Sequence, residues 1–215
     1  MARPIFAVSL VSMMIAVLPA RANIISIGSP NVAPDIFPSS NFTGLTLLAD
    51  TGFQPFSFDG MSGHYEEVVV ADPANTFCSG CLDFALAVFL NADQPFAIST
   101  VRFGQWNSTT DVGYSPGLDN GTIIPTTVFR GTGNNVGFNF NNFGSGTTTD
   151  VLIVETNARA FWNAGGIFFN DTNNNTQSSF INGIFVPAPE PSTAALTGLA
   201  ILALVGVLRM RSRAA

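Results

Sequence analysis

The sequence predicts an all-β protein: an antiparallel β-sandwich of jelly-roll-like form, flanked by an N-terminal signal peptide and a C-terminal transmembrane helix. Three observations predict it. Runs rich in Val, Ile, Thr and Phe recur through residues 23–186, and such side chains suit a pleated, half-buried surface. Gly, Asn, Pro and Ser interrupt those runs at short intervals, as turns between short strands do. No helical period persists between the two ends of the chain.

The elements follow in order. Residues 1–22, MARPIFAVSLVSMMIAVLPARA, carry the three parts of a secretory signal. Arg3 is a minimal charged region, Ile5–Leu18 an apolar run, and Ala20-Arg21-Ala22 a small-x-small cleavage pattern that places the mature start at Asn23. A retained N-terminal anchor is the alternative, but the apolar run is short for comfortable spanning. Pro30, Pro34 and Pro38 make the next stretch loop-like.

Strands are then expected at Leu45–Leu48, Phe53–Phe58, Tyr65–Ala71, Phe84–Leu90, Ile98–Trp106, Thr122–Arg130, Val136–Phe140, Asp150–Thr156, Ala160–Trp162, Gly166–Phe169 and Phe180–Val186. Leu82–Leu90 is nearly all apolar and reads as a central strand or a short buried helix; its length, bounded by Cys81 and Asn91, favours the strand. Phe supplies 20 of the aromatics, against 2 Trp and 2 Tyr. A ring without a polar handle belongs mostly in a core. At the far end, Thr193–Leu208 is uncharged and mostly apolar. As a helix it would cover about 24 Å, close to the roughly 30 Å hydrocarbon thickness. Arg209, Arg211 and Arg213 follow at once, and cationic flanks stay cytoplasmic, so residues 23–188 are expected to face outward.

Charge narrows the function classes. Only 10% of residues are charged, and 14 acids against 8 cations give a net −6. All the cations are arginine. Between residues 23 and 186 only Arg102, Arg130 and Arg159 face 13 acids, a net −10. Nucleic-acid binding needs clustered cations to neutralise phosphates, and this domain has none to cluster. A chain that is 47% hydrophobic can bury enough surface to fold, which argues against disorder. The mean hydropathy of +0.35 is raised by the two apolar ends.

Pro189-Glu190-Pro191, a short apolar span and then the cluster Arg209, Arg211, Arg213 resemble, in order and spacing, the PEP-CTERM sorting signal of exosortase substrates. The resemblance covers residues 187–215 and divides the chain into a signal peptide (1–22), a β-sandwich domain (23–186) and a sorting segment (187–215). It implies Sec-type export and transient anchoring in the inner membrane. It also implies recognition by an exosortase, a membrane cysteine transpeptidase-like enzyme, and a Gram-negative envelope or exopolysaccharide setting. It implies no single biochemical activity. A second resemblance rests on Tyr65-Glu66-Glu67-Val68, Asn75–Phe84, Asp111-Val112-Gly113-Tyr114 and Glu155-Thr156-Asn157-Ala158. These segments are similar to a group of PEP-CTERM proteins of unassigned function, which implies a shared fold more than a shared activity.

Several residues carry candidate chemistry. Cys78 and Cys81 are the only cysteines, spaced C-x-x-C. Redox or zinc chemistry is one reading; in an oxidising exterior a structural disulfide is the expected one. Zinc would need two more ligands, and His64 is the only histidine. His64 is expected on the surface near its strand, and no G-x-S-x-G elbow offers it a nucleophile.

Glu66, Glu67 and Glu155 are the only glutamates of the domain, and a hydrolase reading would pair Glu67 with Glu155 or an Asp. Adjacent Glu66 and Glu67 point to opposite strand faces, so one is either a buried carboxyl bonded to a turn or part of a charged edge strand. Asp171-Thr172-Asn173-Asn174-Asn175 begins like a calcium loop, but Thr176 and Asn182 stand where an EF-hand needs Gly and Glu. A different calcium site using Asp111, Asp119 or Asp171 stays open beside an Asn-rich turn that caps its own backbone. Trp106, Trp162, Tyr65 and Tyr114 would stack on sugar rings if exposed together, and are otherwise core or rim.

The expected function is that of an exported, non-enzymatic envelope or matrix protein. A polysaccharide-binding module is the alternative. No catalytic residue and no resident cofactor is assigned beyond the open calcium question.

Overall fold

The computed structural model describes residues 24–188, apart from 107, 117–120, 133 and 174–180. The signal peptide with Ala20 and Ala22, Asp119, the motif Pro189-Glu190-Pro191, the apolar span Thr193–Leu208 and Arg209, Arg211 and Arg213 lie outside the described residues. No helix among the described residues is long and apolar enough to cross a membrane.

The elements are β1 (Asp35–Ile36), a 3₁₀ turn (Ser39–Phe42), β2 (Thr46–Asp50), β3 (Gln54–Phe58), β4 (Met61–Asp72), β5 (Cys81–Leu90) and β6 (Ile98–Gly104). They continue with β7 (Thr110–Ser115), β8 (Thr127–Arg130), β9 (Val136–Phe143), β10 (Val151–Thr156), β11 (Phe161–Asp171) and β12 (Ile181–Pro187). They form two sheets. The first runs β1-β7-β10-β5-β4-β2, with β3 also paired to β4; the second runs β12-β11-β6-β9-β8. The short β1–β7 pair is parallel and the other strand pairs are antiparallel.

The inner faces of the sheets share one core. In-register partners point the same way, so Leu82, Phe84, Leu86 and Val88 of β5 align with Val69 and Tyr65 of β4 and with Leu152 and Val154 of β10. Opposite them lie Val101, Phe103, Phe138, Phe169, Ile184 and Val186 of the second sheet. Phe56 stacks on Phe169 at 4.2 Å between centroids, and Trp106 meets Phe84 edge-on at 4.8 Å. Each large side chain so buried contributes about 1.5–3 kcal/mol over leaving it in water. The outer face of the first sheet is partly covered as well. Phe37 packs there on Val151 and Ile153, with Phe42 and Ala85 against them.

The all-β expectation agrees with this architecture, and residues 81–90 are the expected strand. Other details differ. Residues 110–115 form β7, a strand the sequence reading leaves out. Its Thr-Asp-Val-Gly-Tyr-Ser composition looks turn-like, yet all six residues are buried. Gly113 is required there, because a Cβ would collide with the backbone of Asp35 in β1. The expected strands at 160–162 and 166–169 are one strand, β11, bent by register shifts at Trp162, Gly165 and Gly166. A Cβ at Gly165 would strike Val186 and Ile184, so glycine allows the bulge to lie against β12. The expected strand at 122–130 shortens to β8.

A carboxylate centre under the disulfide loop as candidate functional site

Four buried carboxylates gather at one end of the first sheet. Asp83 of β5 pairs in register with Glu155 of β10, which pairs with Asp111 of β7. Three neighbouring strands thus carry three acids as successive rungs on one face. That face is the outer one, because Asp83 alternates with the core residues Leu82 and Phe84. Asp72, the last residue of β4, joins them. Exposure is 1% at Asp72, Asp83 and Asp111 and 3% at Glu155. Oxygens of Asp72, Asp83 and Glu155 all lie within 4.8 Å of one another.

The connection from β4 to β5 folds over this centre. Cys78 and Cys81 form a disulfide, with 5.3 Å between their Cα atoms. Gly80 N donates to the Asp72 carbonyl at 2.8 Å and Cys81 N to that of Cys78 at 3.0 Å, which closes the loop at its base. From the loop, Ala74 N donates to Asp72 Oδ1 at 2.7 Å, Asn75 Nδ2 to Asp83 Oδ1 at 2.6 Å, and Thr76 N to Glu155 Oε2 at 3.3 Å. The Asn75 Oδ1 in turn accepts from Phe77 N and Cys78 N. Asn75 therefore ties the disulfide segment to the acidic floor.

The electrostatics are those of like charges held in a dry place. Burial, then Glu155, push the Asp83 carboxyl up to about 9, with Asp72 adding to the rise and the Asn75 bond opposing it. Burial, then Asp35, push Asp111 up to about 7. Burial raises Glu155 as well, against the lowering effect of its Thr76 bonds. The charged groups acting on these carboxyls are one another and Asp35 of β1, all of them acidic.

Glu67 occupies a different place. It is in register with Leu86, three residues from Asp83 along β5, so it faces the inner core while Glu155 faces outward. A single substrate cannot lie between Glu67 and Glu155, because the sheet separates them. Glu67 is 1% exposed, and Phe185 N of β12 donates to its Oε2 at 2.7 Å. Burial raises its pKa well above the ordinary range, and the Phe185 bond opposes that. Of the two expected readings, the buried carboxyl is the one observed, but its partner is the strand β12 rather than a turn.

The remaining candidates are dispersed. His64 is exposed on β4, opposite Phe89. Trp106, Tyr65 and Tyr114 are buried and only Trp162 is exposed, at 45%, so the four rings form no common platform. Asp171 sits beyond Phe169, which stacks on Phe56 near the Leu90 end of β5, far from Asp111 at the Asp83 end. The two do not share a site. Asp171 Oδ1 accepts from Asn173 N at 2.8 Å, so this turn caps its own backbone. A polar cleft of about 390 Å³ opens between the sheet edges, lined by Asp50, Gln54, Tyr65, Asn163, Asn182 and Phe185.

Sequence reasoning missed Asp72 as a site residue and quoted Asp83 and Asn75 only within a resembling segment. One signal was available: Asp83 is the lone charge in the apolar run 81–90. Three of the four segments in that second resemblance, those carrying Asn75 and Asp83, Asp111, and Glu155, meet at this centre.

Fold and site together define an all-β, two-sheet protein whose buried acidic centre is capped by a disulfide loop. Comparison with protein-family models, with curated proteins and with solved structures finds no match to this chain.

Proposed function

We propose that the chain is an exported, non-enzymatic component of the cell envelope or extracellular matrix, sorted through a C-terminal PEP-CTERM-type signal. On this reading residues 1–22 direct Sec export. Thr193–Leu208 hold the chain in the inner membrane, and an exosortase-type enzyme processes it near Pro189-Glu190-Pro191. The domain is then a jelly-roll-like sandwich, a form supported by the way β5, β6, β7 and β8 alternate between the two sheets. The observation that carries the export reading is the Cys78–Cys81 disulfide, a bond that persists in oxidising compartments. The test is intact-mass measurement of the native protein. Termini at Asn23 and near Pro189–Pro191 are expected; a steady-state product that retains Arg209, Arg211 and Arg213 overturns the processing.

A second reading, binding of exopolysaccharide, is favoured by the cleft that Asp50, Gln54, Asn163 and Asn182 line, since amide and carboxylate groups suit sugar hydroxyls. Affinity electrophoresis against the host polysaccharide tests it. Retardation that is lost in Asn163→Ala supports this reading, and unretarded migration removes it.

A further inference from the structure

The carboxylate centre has a donor geometry that its protein neighbours leave incomplete. Oxygens bonded to one ion at about 2.4 Å lie at most about 4.8 Å apart, and Asp72, Asp83 and Glu155 meet that limit pairwise. One oxygen of each is already oriented by an N–H, from Ala74, Asn75 and Thr76 respectively. Outer donors of this kind hold ligating carboxylates in place. An independent observation concerns the other Asp83 oxygen. Oδ2 is buried and receives no N–H or hydroxyl hydrogen bond, and the side chain within hydrogen-bonding reach of this carboxyl is another carboxyl, that of Asp72. A buried polar atom ordinarily has a partner, so this one calls for an explanation.

Arginine does not supply it. Arg130 donates to the carbonyls of Ile25 and Trp106 and to Thr110 Oγ1. Arg102 bonds Asn170 and lies over the Phe168 ring on the second sheet. Arg159 is exposed.

We propose that Asp72, Asp83 and Glu155 bind one hard divalent cation of the calcium class, beneath the disulfide loop of residues 73–80. An all-oxygen donor set suits calcium better than zinc, whose sites are built mainly on histidine nitrogen and cysteine sulfur with carboxylates in the minority. Magnesium demands near-ideal octahedral geometry at shorter bonds and gives up its water reluctantly, which a buried site does not favour. Asp72 and Asp83 stand at the two feet of the loop, so the ion joins β4, β5 and β10 and fastens the loop to the sheet. Asp111, the next rung beyond Glu155, adds negative potential without being one of the three ligands.

The test uses the full chain purified in detergent, stripped with EDTA and titrated with calcium chloride by calorimetry, with bound metal counted by elemental mass spectrometry. One calcium per chain is expected, with a higher melting temperature in calcium than in EDTA and magnesium at least about tenfold weaker. Asp83→Asn and Glu155→Gln keep the side-chain shape and should each weaken calcium at least about tenfold. Asp171→Asn, at the other end of the molecule, should leave binding unchanged. A flat titration, less than one ion per chain at saturation, equal affinity for magnesium, or unchanged affinity in the two ligand variants overturns the proposal. Where a ligand variant fails to fold, wild-type stoichiometry and ion selectivity decide. Failure here leaves the export reading intact, because that reading is judged by the chain termini.

Discussion

The two faces of the first sheet bury carboxyl groups in opposite ways. On the inner face Glu67 is a single buried carboxyl beside the Tyr65 phenol, with a backbone N–H of the facing sheet aimed at it. On the outer face Asp83, Glu155 and Asp72 are crowded together, and their donors come from one local loop. The inner group is held by long-range architecture, the outer groups by a disulfide-bound segment of a few residues. One sheet thus serves two purposes. Its inner side uses a carboxyl to fix how the sheets are seated, and its outer side concentrates charge where a loop can close over it.

Deleting the inner carboxyl should have the largest effect. Glu67→Ala removes a packed side chain and strands the Phe185 N–H, and a loss of about 3 kcal/mol in denaturant unfolding is expected. A loss under about 1 kcal/mol would mean that the bond does not seat the sheets. Next comes the cap of the outer face. Replacing Cys78 and Cys81 by serine releases a very short loop, and the chain-entropy model gives about 2 kcal/mol of lost stability. Hydrogen exchange should then rise in residues 73–80 and remain slow at Phe185; equal acceleration at both would erase the distinction between the faces.

A smaller effect concerns pH. The folded-state pKa of Glu67 is raised, so the native state holds a proton that the unfolded chain has released. The contribution of this group is full below the ordinary glutamate range and is lost as pH rises through the folded value. The groups facing it are Tyr65, which feels its charge, and the Phe185 amide. Glu67→Gln keeps an acceptor for Phe185 and removes the titration. The wild type should therefore lose stability relative to this variant between pH 5 and neutrality and above, measured by paired urea titrations; parallel curves would contradict the assignment. The smallest change is expected at Trp162, whose ring is 45% exposed. Trp162→Ala should shift stability by no more than about 0.5 kcal/mol.

Much of this was legible in the sequence, for reasons that differ by strand. β5 could be read because an apolar run of strand length between turn residues has few other uses. β4 could be read from its β-branched residues 68–70. β7 could not. It is covered on both faces, so alternation vanishes, and its Asp111 and Gly113 serve the acidic centre and the close approach of β1 rather than a strand propensity. The split of β11 into two expected strands has the same origin, since glycines that permit a bulge look like glycines that end a strand. The Cys78–Cys81 pair was readable from spacing. The partnership of Asp72, Asp83 and Glu155 was not, because it depends on the register between β5 and β10, whose residues are 72 positions apart at the Asp83–Glu155 rung.

The bond from Phe185 to Glu67 joins residues 118 positions apart. Glu67 is made early in the chain and its donor late, and closing so long a span comes after local hairpins such as β4–β5 have formed. Until β12 arrives, the strand carrying Glu67 has no fixed partner for its charge and good reason to keep that face wet. The last strand therefore acts as a completion check: a chain that stops before Ile181 is expected to keep its first sheet solvated on the inner side and vulnerable to proteases, while the whole chain shuts that face at once.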